Sequence, residues 1–207
     1  MIYTVILHND NSSDYTNNLV SNLQNRPYEI IDSSYLKTSF TESFNVGIIK
    51  GYSSGYDHIM ICNNDISLTK NDLDKLDRII DTQVGIFSPS CNSPHKKVMD
   101  KIGSEPLRNV YWLEFIAPIF HKNIFKNVGF LDLDMSYGWG VEIDYCYRAE
   151  MKKYRSYLVQ DVRIKHFEHK SQSDHDAYRH EANMEMNHVL RAKYGEDWQN
   201  LLRFPQW

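Results

Sequence analysis

Short apolar runs that stop at polar clusters, with helical patterns between them, leave this chain few ways to fold. Ile2-Tyr3-Thr4-Val5-Ile6-Leu7 is rich in β-branched residues and halts at His8-Asn9-Asp10-Asn11-Ser12, as a buried strand does when it delivers a loop. Tyr28-Glu29-Ile30-Ile31-Asp32 predicts a second strand, and His58-Ile59-Met60-Ile61-Cys62 a third that ends at Asn63-Asn64-Asp65. Val84-Gly85-Ile86-Phe87 predicts a fourth, before the breakers Ser88-Pro89-Ser90. Helical patterns occupy residues 13–25, 41–54 and 72–80, the second closed by Gly55. This alternation predicts an α/β fold of right-handed βαβ units, with a central, mostly parallel mixed sheet flanked by helices. Ligands on such sheets bind at the carboxyl ends of the strands. That places His8, Asn9, Asp32, Asn63, Asn64 and Asp65 among the candidate ligand positions.

The later part of the chain is less regular. Residues 92–108 read as a loop-rich excursion and residues 110–120 as an apolar segment interrupted by Pro118. Val162-Arg163-Ile164-Lys165-His166 alternates like a half-exposed strand, and residues 174–194 form a long helical pattern ending at Gly195, a C-cap signal. With 207 residues and no repeat or linker, a single domain is expected, about residues 1–95 forming one half and 96–207 the other. No apolar run approaches the roughly 20 residues needed to cross a bilayer, and Met1-Ile2-Tyr3-Thr4 lacks the basic start of a secretion signal. Cys62, Cys91 and Cys146 are odd in number and scattered, which fits neither a disulfide framework nor a Cys-x-x-Cys zinc site. A soluble, cytoplasmic protein is therefore expected. The net charge of −4 excludes a global basic field, although Lys152, Lys153, Arg155, Arg163, Lys165 and Lys170 make one local basic segment.

Two constellations carry chemistry. Asn63-Asn64-Asp65 is the short polar sequence expected where a divalent cation bridges protein and a diphosphate; the same tripeptide also suits a turn followed by a helix cap. Tyr137-Gly138-Trp139-Gly140-Val141-Glu142-Ile143-Asp144 sets two carboxylates one residue apart, after a glycine-flanked aromatic. Such acids can divide proton abstraction from positioning, or simply favour the positive end of a helix running on towards Lys153. His166 and His169 are candidate imidazoles near one strand end. Trp112 and Trp139 are flat faces for a ligand to stack on, or else core.

In order along the chain, these pieces resemble a family 2 glycosyltransferase with a GT-A fold. Asn45-Val46-Gly47 matches the family's Asn-x-Gly helix, and Asn63-Asn64-Asp65 the Asn-x-Asp form of its metal motif. Val128-Gly129-Phe130-Leu131-Asp132 resembles its Gly-Gly-Phe-Asp element, Glu142-x-Asp144-x-x-x-Arg148 its acceptor-site helix, and Lys193-Tyr194-Gly195 its terminal Lys-Trp-Gly.

The resemblance implies a metal-dependent, inverting transfer of a sugar from a nucleoside diphosphate sugar, UDP favoured, to an acceptor hydroxyl of a glycan or glycoconjugate. It makes Asp65 a ligand to Mn²⁺ or Mg²⁺, with His166 or His169 completing the site. Asp32 would hold the base, while His8, Asn9, Asn45, Asn63 and Asn64 would flank the nucleotide. Glu142 would be the catalytic carboxylate and Asp144 would orient the acceptor or its loop; Val141 stands where the family commonly has an acid, so both acids stay candidates for the base. The basic segment keeps a modified base in DNA as another acceptor. A non-catalytic nucleotide-sugar-binding module shares the pattern. A nucleotidyltransferase fits less well, because residues 8–13 hold neither glycine nor a basic Lys or Arg.

Overall fold

The computed structural model describes residues 1–8, 13–33, 38–91, 99–167 and 175–203, the side chains of 13 and 175 excepted. Its strands are β1 (Ile2–His8), β2 (Tyr28–Asp32), β3 (His58–Asn63), β4 (Ile66–Ser67), β5 (Gly85–Cys91), β6 (Leu107–Val110), β7 (Ile119–His121) and β8 (Arg155–His166). The helices are α1 (Ser13–Leu23), α2 (Phe40–Ser53), α3 (Lys70–Ile80), α4 (Lys122–Val128), α5 (Val141–Met151), α6 (His175–Tyr194) and α7 (Trp198–Leu201). The sheet runs β2-β1-β3-β7-β5-β8-β4, with β6 also paired to β8. β1 pairs parallel with β2 and β3, and β5 with β8, whereas β7, β4 and β6 lie antiparallel to their neighbours. The sheet is thus a fuller mixture of directions than the βαβ pattern predicts, because β4, β6 and β7 are two to four residues long and leave little periodic signal.

Local chemistry explains the helix starts. Ser39 and Thr69 cap α2 and α3 through reciprocal capping boxes with Glu42 and Asp72, each satisfying backbone donors that the first turn leaves unpaired. Helix α3 buries Leu73, Leu76 and Ile80, the i, i+3, i+7 stripe of an amphipathic helix. Helix α2 comes unusually close to the sheet, since a Cβ added at Gly47 would lie 3.2 Å from Ile61 and one at Gly51 would lie 2.3 Å from Ile59. Small residues at those positions let the helix seat its backbone against β1 and β3. An aromatic cluster then ties the helices together: Phe44 of α2 stacks on Phe115, Phe120 meets Phe44 edge-on, and Tyr145 of α5 meets both Phe115 and Phe120 edge-on. The Tyr145 hydroxyl donates to the Gly129 carbonyl at 3.0 Å, so this buried ring leaves no polar atom stranded.

Two strands outrun their sequence signals. β5 continues through Pro89 to Cys91, and its register on β8 jumps at Pro89/Ser90 from Val159 to Arg163. A proline has no N–H to give a ladder, so it occupies the irregularity. β8 begins at Arg155 rather than near Val162, because its buried Gln160 is satisfied by the neighbouring excursion: its amide donates to the Glu105 carbonyl and accepts from the Ile102 N–H, both at 2.7 Å. Part of that excursion is itself β6. The three cysteines are free and buried, and burial pushes the Cys62 and Cys146 thiols up to about 12, leaving them as packing groups at neutral pH. Among the described residues no helix is long and apolar enough to cross a membrane.

Gly51→Ala is expected to destabilise the fold by about 1–2 kcal/mol, because forcing a methyl into the stiff β-branched Ile59 outweighs the gain in helix propensity. Urea denaturation of the variant checks this.

Candidate functional site

The carboxyl edge of the parallel strands gathers the polar strand ends. His8 lies beside Asp32 across the β1–β2 ladder, and Leu7 beside Asn63 across β1–β3. The His8 ring nitrogen Nδ1 lies 2.8 Å from the Thr16 hydroxyl and 3.2 Å from the Asn64 amide nitrogen, which also donates to Thr16 at 3.1 Å. Asn64 is fully buried and locks β1, α1 and the β3 exit into one polar knot. The Ser33 hydroxyl donates to the His8 carbonyl at 2.9 Å, pinning the end of β2 to it. Asp32 is exposed at this edge. Asn9 and His169 lie outside the described residues.

Beyond the knot the chain crosses to β8. Ile66 pairs with His166 and Ser67 with Lys165, and the Phe167 N–H donates to the Asp65 carbonyl at 2.9 Å. This short antiparallel ladder brings the Asp65 carboxylate within 3.2 Å of His166 Nε2. Both side chains are largely buried yet retain some access to solvent. One carboxylate oxygen and one imidazole nitrogen suit Mn²⁺, and a hard cation bound by so few protein donors draws the rest of its shell from phosphate or water. Among the described residues, no cluster of three or more His, Cys, Asp or Glu side chains is arranged to hold a metal. The pair therefore fits a cation shared with a ligand rather than an enclosed structural site.

Glu142 and Asp144 open helix α5, and the two carboxylates occupy different surroundings. Glu142 is buried, 8% exposed, in the first turn. Asp144 is fully buried and heavily engaged: Arg148 Nε reaches it at 2.8 Å, Lys193 Nζ at 2.6 Å, and the Tyr194 hydroxyl donates to it at 2.6 Å. Arg148 also donates to the carbonyls of Val128 and Phe130, each at 2.9 Å, and Lys193 pairs with Asp132 at 2.9 Å. Burial, then the Asp144 hydrogen bond, push the Tyr194 hydroxyl well above the usual phenol range. Burial would raise Asp132, but Lys193 and the Asp134 N–H hold its carboxyl below the ordinary range.

The turn before α5 is clamped from α6. Glu185 accepts from the Ser136 hydroxyl at 2.6 Å and the Tyr137 N–H at 3.0 Å, Glu181 from the Tyr137 hydroxyl at 2.6 Å, and Tyr178 donates to the Tyr137 carbonyl at 2.9 Å. Gly140 caps α5 at φ 80°, where a Cβ would also lie 2.6 Å from Met186. Left-handed backbone and close approach together require glycine there. Glu181 and Glu185 stand one turn apart on α6, the only sequence hint of this clamp. Thr16, Lys193 and Tyr194 likewise act through contacts that periodicity does not reveal.

Two expected ligand residues have other occupations. The Asn45 amide donates to the Leu131 carbonyl at 3.1 Å and accepts from the Leu131 N–H at 2.8 Å, so it fastens α2 to the Gly129–Asp132 segment. Trp112 is a core residue, 5% exposed, and not the acceptor platform its flat ring suggests; Trp139 is 38% exposed.

No protein-family model matches the chain. Protein Rv1525 of Mycobacterium tuberculosis, described as uncharacterized, is 27% identical over 164 residues, covering 72% of this chain and 63% of its own length. The chain thus spans less than two thirds of that relative. Among solved structures, GalNAc-T7 with UDP, GalNAc and Mn²⁺ has a TM-score of 0.57 at 10% identity, over 80% of this chain and 43% of that one. TarS of S. aureus scores 0.56 at 11% identity, over 92% and 40%. A197 from STIV scores 0.55 at 9% identity, over 82% and 86%. The fold is accordingly that of GT-A glycosyltransferases, an open mixed α/β sheet flanked by helices.

Asp144→Ala is expected to cost about 3–5 kcal/mol, since it strands Arg148 and Lys193 without their buried partner. Because the Asp132 carboxyl titrates lower folded than unfolded, its contribution is complete above about pH 4 and is lost as pH falls through the folded value. Lys193→Met should therefore flatten the acid-side loss of stability in urea titrations at about pH 6 and about pH 3.

Proposed function

We propose that this chain is a metal-dependent, inverting glycosyltransferase that moves a sugar from a nucleoside diphosphate sugar, UDP favoured, to an acceptor hydroxyl of a glycan or glycoconjugate. The observation that carries the reading is the Asp65–His166 pair at the carboxyl edge of a GT-A sheet, where open α/β sheets bind their ligands. In this reading residues 1–95 form the donor half of one domain and residues 96–207 the acceptor half.

Asp65 and His166 would hold Mn²⁺ or Mg²⁺, which when bound neutralises charge on the departing diphosphate. Asp32 takes the base and His8, Asn63 and Asn64 support the nucleotide, with the His8–Thr16–Asn64 knot holding that edge rigid. Glu142 accepts the proton of the acceptor hydroxyl as its oxygen attacks the anomeric carbon and the bond to the diphosphate breaks. Its place in the first turn of α5, with little exposure to solvent, suits a positioned carboxylate taking a proton from a bound hydroxyl. Asp144 is the positioning acid: its bonds to Arg148, Lys193 and Tyr194 leave it committed to holding α5 in place. Trp139, on the turn just ahead, offers an exposed ring for an acceptor sugar.

Two measurements test this. Screening UDP-, GDP- and dTDP-sugars with Mn²⁺ should raise the melting temperature of the wild-type chain for one donor, and Asp65→Asn should abolish that shift. Glu142→Gln should keep the shift while slowing turnover by roughly a hundred-fold or more. Full turnover in Glu142→Gln would remove the base assignment, and donor stabilisation without any transfer or donor hydrolysis would leave a binding module.

A further inference from the structure

A second cavity lies at the other end of β8. It encloses about 450 Å³ and is lined by Asn109, Tyr111, Glu150, Lys153, Tyr154 and Arg155, among others, a volume typical of small-ligand sites. Arg155 begins β8 and His166 ends it, which separates this cavity from the Asp65–His166 pair by on the order of 30 Å of extended strand. Glu142 stands at the opposite end of α5 from Lys153, about 16 Å away along the helix.

Two features mark the cavity as more than a surface dimple. The first is charge. Among the described residues, the side chains of Lys153 and Arg155 make no ion pair or hydrogen bond, while the acid in the wall, Glu150, is met by Arg203 at 3.4 Å. Arg203 also lies over the Tyr111 ring, 3.9 Å from its centroid, so a third cation stands at the rim. A doubly charged anion would neutralise the two unmatched cations, and the guanidinium fork and ammonium suit phosphate oxygens.

The second feature is backbone conformation. Helix α5 ends in a Schellman turn: the Tyr154 N–H returns to the Ala149 carbonyl at 2.9 Å and the Lys153 N–H to Glu150 at 2.8 Å. The residue that closes such a turn is left-handed and is most often glycine. Here it is Lys153, at φ 68°. Only Gln24, Lys153 and Arg203 among the described non-glycine residues have positive φ; Lys153 lines this cavity, and Arg203 reaches two of its lining residues. A lysine in the conformation that favours glycine carries backbone strain that glycine would not, while supplying an exposed charge beside the cavity.

We infer that this cavity binds a small phosphate-bearing ligand, with Lys153 and Arg155 on the phosphate and the Tyr111 and Tyr154 rings flanking the remainder. The site is independent of the transferase reading, and it gives part of the basic segment a ligand. Calorimetric titration of the full chain with inorganic phosphate and with phenyl phosphate tests it. Saturable binding is expected, weakened about tenfold or more by Lys153→Gly and by Arg155→Gln, and unchanged by Asp65→Asn. Tighter binding of phenyl phosphate assigns the site to a phosphate monoester that uses the rings; equal binding assigns it to free phosphate. Lys153→Gly relieves the left-handed strain, so its melting temperature should equal or exceed that of the wild type, and lost binding cannot then be laid to misfolding. Absence of saturable binding, or binding that survives both charge substitutions, overturns the inference.

Discussion

The buried carboxylate of Asp144 is the contact on which the packing of α5 against α6 hangs. A charge with no exposure to solvent survives only when its surroundings replace the lost hydration, and here Arg148, Lys193 and Tyr194 do so. Each partner comes from, or reaches to, another element. Arg148 carries the link to the Val128 and Phe130 carbonyls, and Lys193 and Tyr194 bring in the end of α6. One carboxylate thus fixes the relative placement of α5, α6 and the segment around Gly129. Glu142 sits two residues before it, on the same first turn, so its position inherits that rigidity. More than two turns earlier on α6, Glu181 and Glu185 hold Tyr137 in the turn before α5.

The carboxyl edge of the parallel strands is held by a different device. Parallel strands β1, β2 and β3 end together because their ladders are in register, and the ends are joined by side-chain hydrogen bonds among His8, Thr16 and Asn64. β4, only two residues long, then carries Asp65 to the end of β8. Its two-residue ladder sets a carboxylate beside an imidazole. Beneath both sides runs the aromatic cluster from Phe44 through Phe120 to Tyr145, which couples the helix seated on β1 and β3 to the helix that bears Glu142.

Much of the parallel half was legible in the chain because its signals are local. An apolar run that halts at a polar cluster reports both a strand and where it ends, and Ser39 and Thr69 announce their helices by capping chemistry. The rest of the sheet was harder to read. β4, β6 and β7 are short, Pro89 sits inside β5, and the buried Gln160 of β8 depends on the backbone of residues 102 and 105. Asn45 and Trp112 show the same limit from the other side: residue type and order pointed to ligand contacts, while packing used the amide for Leu131 and the ring for the core.

Sequence alone determined the α/β architecture, the polar strand ends at the carboxyl edge of the sheet, and the placing of two acids at the start of α5, because each is written in neighbouring residues. Tertiary structure decided that His166 lies beside Asp65 across 101 positions of chain, that Asp144 is the acid held by Arg148, Lys193 and Tyr194, and that Lys153 and Arg155 share a cavity. Those outcomes depend on which distant groups displace water around a charge, and that is set only when the elements pack.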